Sequence, residues 1–152
     1  MRPVGKYYSA EGVHNIPNQS SMPAHEKDSR VARISHLLDD KRLEGIQRQP
    51  GVLAVLAFYE GFAVKSIGSG DFEQVAAAAE DFLRSGEKII SDMKMGALSQ
   101  ITLEAGEKKC IVVPYGDLFL CLLTSADVNL GLVRLMIRHI QSMDTAANNA
   151  GI

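Results

Sequence analysis

The chain has few cysteines, no dominant sign of charge and no long apolar run, and each shortage removes a class of function. Cys110 and Cys121 are its only cysteines. They fall in apolar strand-like runs without the paired short spacing of zinc or redox dithiol sites, so buried reduced thiols are expected. Lys and Arg number 16 against 18 Asp and Glu, a net charge of −2. This leaves no polybasic footprint for nucleic acid or a membrane surface. No stretch approaches the ~20 apolar residues of a membrane span, and the opening MRPVGKYYSAEG lacks the apolar centre of a signal peptide. The expectation is a cytoplasmic protein with a protein partner, no nucleic acid and no membrane insertion.

Recognisable catalytic constellations are also missing. Gly68-Ser69-Gly70 lies at a strand-to-helix junction, but the third glycine of a dinucleotide fingerprint would fall at Glu73, and no Gly-Lys-Ser/Thr follows. His14, His25, His36 and His139 show no ligand-like spacing with one another or with the cysteines. The serines lack a nucleophile elbow. No catalytic residue, metal ligand or cofactor is assigned, and the chain is read as a non-enzyme.

What is present is the patterning of one α/β domain, a size that 152 residues suits. Residues 1–27 hold three of the five prolines and little apolar periodicity, and read as a loosely ordered tail whose Tyr7, Tyr8, Val13 and Ile16 could dock on a surface. Asp28 or Ser29 can cap a first helix running to about Arg48, which Pro50-Gly51 stops. Val52 to Tyr59 and Phe62 to Ile67 are two apolar strands joined by Glu60-Gly61, a tight hairpin signal.

Asp71 with Gln74 makes a capping-box pattern that opens the longest helix, which Gly96 would end after about 24 residues, or roughly 36 Å. Its apolar stripe includes Ala76, Ala79 and Gly86, small enough to admit either the sheet beneath or a second helix alongside. Ala97 to Glu104 alternates toward its end and suits an edge strand; Lys108 to Tyr115 follows. Every residue from Leu118 to Leu123 is apolar, as in a strand covered on both faces, and an apolar-periodic helix follows. On that last helix Arg134 and Arg138 are surface neighbours, available to an acidic partner or to carboxylates of the first helix, or simply solvated.

Element order and wording together resemble the Roadblock/dynein light chain family over residues 29 to 143. The matching segments are PGVLAVLAFYEGFAV, EQVAAAAEDFLRSGEKII, GALSQITLEAGEKKCIVVPYGDLFLCLLT and ADVNLGLVRLMIRHI. The resemblance implies a three-layer α-β-α sandwich with a five-stranded antiparallel sheet, the long helix on one face and two helices on the other. The domain would occupy residues 28–145, with 146–152 as a C-terminal tail. It also implies a homodimer, or a heterodimer with a related domain, in which third strands pair edge to edge and long helices lie adjacent. Ala79, Phe82, Gly86, Leu98, Gln100 and Thr102 would then form the dimer interface. Proteins of this family typically serve as noncatalytic platforms for Ras-like small GTPases or as adaptors in larger assemblies. The partner surface expected here is Arg84, Glu87, Lys88 and Ser91 on the polar side of the long helix. The competing expectations are a small-ligand sensor domain and an adaptor subunit that does not itself regulate a GTPase.

Overall fold

Strands apolar on both faces need cover on both, and the chain supplies it with helices on either side of one sheet. The structure is a computed structural model describing the backbone of residues 38–150 and the side chains of residues 38–143. Helix α1 (Asp40–Gln47) is followed by β1 (Val52–Tyr59), β2 (Phe62–Gly68), α2 (Phe72–Asp92), β3 (Ile101–Glu104), β4 (Lys108–Tyr115), β5 (Leu118–Ser125) and α3 (Leu130–Ala150). The five strands form one antiparallel sheet in the order β2-β1-β5-β4-β3. The two most apolar strands, β1 and β5, are adjacent inside it, and β3 is an edge, as its alternation suggested.

Alternation sorts the side chains between two cores. Val55 and Ala57 of β1, Ile111 and Val113 of β4, and Leu118, Leu120 and Leu122 of β5 pack with Leu43 and Ile46 of α1 and with Val133, Ile137 and Ile140 of α3. Leu56, Phe58, Val112 and Cys121 point the other way, onto Ala76, Ala79 and Leu83 of α2. The fold is therefore the three-layer sandwich expected, with α2 alone on one face.

Four boundaries differ from expectation, each for a local reason. The first helix does not pass unbroken through residue 39: Asp39 is extended (φ −78°, ψ 167°), and its carboxylate accepts from the Arg42 amide at 2.9 Å, so α1 begins there as a capped helix. The expected part of that helix before residue 38, with His36, and the tail at residues 1–27 lie outside the described residues. Helix α2 spans 21 residues and ends before Gly96. Lys94 takes the left-handed conformation (φ 53°), while the amides of Lys94 and Met95 bond back to Ser91 and Ile90, the hydrogen-bond pattern of a Schellman cap.

The third strand keeps four residues of the eight expected, Ile101–Glu104. Ile101 pairs with Val112, so Ser99 would fall opposite Pro114, which has no N–H for a ladder. Its carbonyl instead accepts from the Gln141 side-chain amide at 2.7 Å. At the other end of the domain α3 runs on to Ala150, past the boundary expected at 145. The Glu60-Gly61 turn is a tight two-residue hairpin with both residues at positive φ (49° and 81°) and Tyr59 opposite Phe62.

Candidate functional site: the α2 face and the β3 edge

A helix of 21 residues is roughly 32 Å long, whereas an eight-residue strand covers roughly 26 Å. Part of the α2 stripe is therefore left without sheet beneath it. Ala76, Ala79 and Leu83 are buried to 3% exposure or less, but Ile89 is 54% and Met93 66% exposed. Met95 in the following turn and Leu103 on β3 are exposed as well, at 63% and 56%. Gly86 is a close seat of α2 on its own domain. A Cβ there would stand 2.2 Å from the Ile101 Cδ1 and 3.2 Å from its Cγ1, so a side chain at this position would have to displace Ile101.

The six residues expected at a dimer interface occupy three settings. Ala79 is in the core of its own chain, and Gly86 is held against Ile101 of the same chain. The sheet beneath thus accounts for the small residues Ala76, Ala79 and Gly86. Phe82 and Leu98 are half-buried beside the α2 core. Gln100 and Thr102 alternate with Ile101 and face the α3 side, where the Gln100 amide donates to the Thr102 hydroxyl at 2.9 Å and its oxygen accepts from Arg134 Nε at 3.0 Å. The exposed Ile89, Met93, Met95 and Leu103 extend this region. The excessive length of the α2 stripe was a sequence signal for Ile89 and Met93, whereas Met95 and Leu103 needed the loop and strand geometry.

The four residues expected to meet a partner are all exposed and share the outer side of α2. Arg84 pairs with Glu80 one turn earlier at 3.0 Å, and Lys88 pairs with Asp92 one turn later. Glu80 is the half-buried member of this face. Gly61 of the hairpin turn lies over it and donates a backbone hydrogen bond, yet Oε2 is enclosed without a partner. Burial raises the Glu80 carboxyl above its ordinary range, with Arg84 opposing that rise. The described surface offers charge and apolar area.

Two thiols meet beneath α2. Cys110 and Cys121 lie on adjacent strands with sulfurs 3.6 Å apart, and the hydrogen bond between them lowers the Cys110 thiol while it and burial raise that of Cys121. Both are reduced. Their proximity was readable from the Gly116-Asp117 turn, which sets Val112 opposite Cys121 and Cys110 one pair along the same face. Among the described residues there is no cluster of three or more metal-ligating side chains. No described helix is long and apolar enough to cross a membrane.

Residues 38–124 match the family model of the Roadblock/LC7 domain. The chain is 32% identical over 105 residues to the uncharacterized protein MJ0310 of Methanocaldococcus jannaschii, covering 68% of this chain and 88% of that one. Its fold is similar to that of a Roadblock/LC7 domain from Streptomyces avermitilis, with TM-score 0.65 at 16% identity over 72% of this chain and 96% of that chain. It is also similar to the gliding protein MglB from Thermus thermophilus, with TM-score 0.60 at 15% identity over 66% and 81% of the two chains.

Proposed function

Because the chain belongs to the Roadblock/LC7 family, we propose that it is a noncatalytic homodimeric regulator that binds a Ras-like small GTPase and modulates its nucleotide cycle. The family is one of GTPase-associated regulators, which gives the reading its direction. The observation that carries the dimer is the exposure of Ile89 and Met93 at the end of α2 and of Leu103 on the four-residue edge strand β3. An exposed strand edge flanked by apolar side chains invites pairing, and pairing β3 with its own copy gives a closed, isologous solution. Two α2 helices brought together in this way would present Arg84, Glu87, Lys88 and Ser91 from both chains on one surface.

Such a dimer acts by differential affinity. A platform that binds one switch conformation of the GTPase more tightly than the other shifts the partner toward it, and needs no reacting group of its own. Light scattering tests the first step: a mass near 16.5 kDa at micromolar concentration would overturn the dimer. Binding of candidate Ras-like GTPases loaded with GDP or a GTP analogue tests the second. The reading predicts unequal affinity for the two forms of at least one candidate, and is lost if neither form of any candidate binds.

A further inference from the structure

On the face opposite α2, the residues before β3, which do not continue its pairing with β4, leave a half-open groove of about 520 Å³ against α3. Arg134, Arg138 and Gln141 of α3 form one wall; Ser99, Gln100 and Thr102 form the other. No carboxylate lines it among the described residues, so two guanidinium groups one helical turn apart face the groove without a countercharge. Arg134 is held in place: Thr102 fixes the Gln100 amide, and Gln100 accepts from Nε, so that among the described residues the terminal guanidinium nitrogens have no partner. Val113, Pro114 and Ile137 supply an apolar floor.

We propose that this groove binds a small organic phosphomonoester, with Arg138 and the terminal nitrogens of Arg134 on the phosphoryl oxygens and the organic body on the floor. Two positive forks match a dianion in charge, and guanidinium geometry suits phosphoryl oxygens. A phosphoryl group alone would leave most of the groove empty, whereas its volume lies in the range of small-molecule sites. The site is independent of the GTPase reading. Pairing through the β3 edge would engage its backbone, while the Gln100 and Thr102 side chains stay on the α3 face.

Titration calorimetry on the full chain with ribose 5-phosphate, inorganic phosphate, succinate and a Glu-rich peptide tests the proposal. Expected are one saturable site per chain for ribose 5-phosphate, weaker binding of inorganic phosphate, and affinity that rises with pH as the second phosphate proton leaves near pH ~6. Arg138 makes no hydrogen bond or ion pair among the described residues, so Arg138→Gln is expected to keep the melting temperature and oligomeric mass of the wild type while weakening ribose 5-phosphate about tenfold. Arg134→Gln should weaken it comparably. Absence of saturable binding by either phosphate compound, an unchanged affinity in Arg138→Gln, or equal or tighter binding of succinate or the peptide would each overturn it. Mass measured on the same variants separates a lost site from a lost dimer.

Discussion

Ala76, Ala79 and Leu83 in the first twelve residues of α2 are almost wholly removed from solvent, whereas Ile89 near its end and Met93 at its C-cap remain more than half exposed. The first half lies over β1 and its neighbours, against Leu56, Phe58 and Val112. The second half extends past Gly86, beside a strand reduced to four residues. Periodicity therefore selects the side a helix turns inward, but the element beneath decides whether that side is covered. The uncovered half is available for association because the covered half already holds the helix.

The comparison breaks most sharply in the buried half. Leu83→Ala is expected to destabilise the chain by about 2–5 kcal/mol, since a wholly enclosed leucine leaves a cavity, while Ile89→Ala should change monomer stability by less than about 1 kcal/mol. Urea denaturation in dilute solution measures both, and equal losses would remove the distinction. The exposed half should dominate association instead. Replacing Ile89 and Met93 together by Asp is expected to weaken the proposed dimer at least about 100-fold by placing charges in the interface. Sedimentation across a concentration series reads that change, with circular dichroism checking that the monomer remains folded.

Much of this contrast was legible in the residues. Continuous apolar runs at Val52–Tyr59 and Leu118–Leu123 identify two inner strands, and Asp71 marks where α2 starts. Gly96 was less informative about its end, because Lys94 adopts the left-handed cap two residues earlier. The shortened β3 depended on a partner strand: Pro114 is unremarkable in its own hairpin but removes a donor opposite Ser99. The groove was least legible. Arg134 and Arg138 are one turn apart in sequence, but Gln100 is 34 residues from Arg134 and meets it only through packing of α3 beside β3.

The cap offers a smaller test. Lys94→Gly should stabilise the chain by about 0.5–1 kcal/mol, because glycine occupies that left-handed position without a Cβ penalty. A Gly substitution that lowered the melting temperature would mean that the Lys94 side chain contributes more than its backbone conformation costs.

Glu80 gives the smallest and most diagnostic effect, because it is a partly enclosed carboxyl group within the covered part of α2, between Ala79 and Leu83. Its carboxyl is raised in the folded chain, chiefly by burial. A carboxyl with a raised folded-state value favours folding when protonated. That contribution is complete below its unfolded value near 4.5 and is lost as pH rises through the higher folded one. At neutral pH the folded chain therefore holds a carboxylate whose Oε2 has no partner, and the 3.0 Å pair with an Arg84 side chain that is 69% exposed offsets this only in part. Glu80→Gln should raise stability by a few tenths of a kcal/mol at pH ~7, with a gain that shrinks toward pH ~4. Urea midpoints of the two proteins at both pH values measure the difference. A gain that grew on acidification would mean that the Arg84 pair outweighs burial, and that this part of α2 is held by charge instead of by packing.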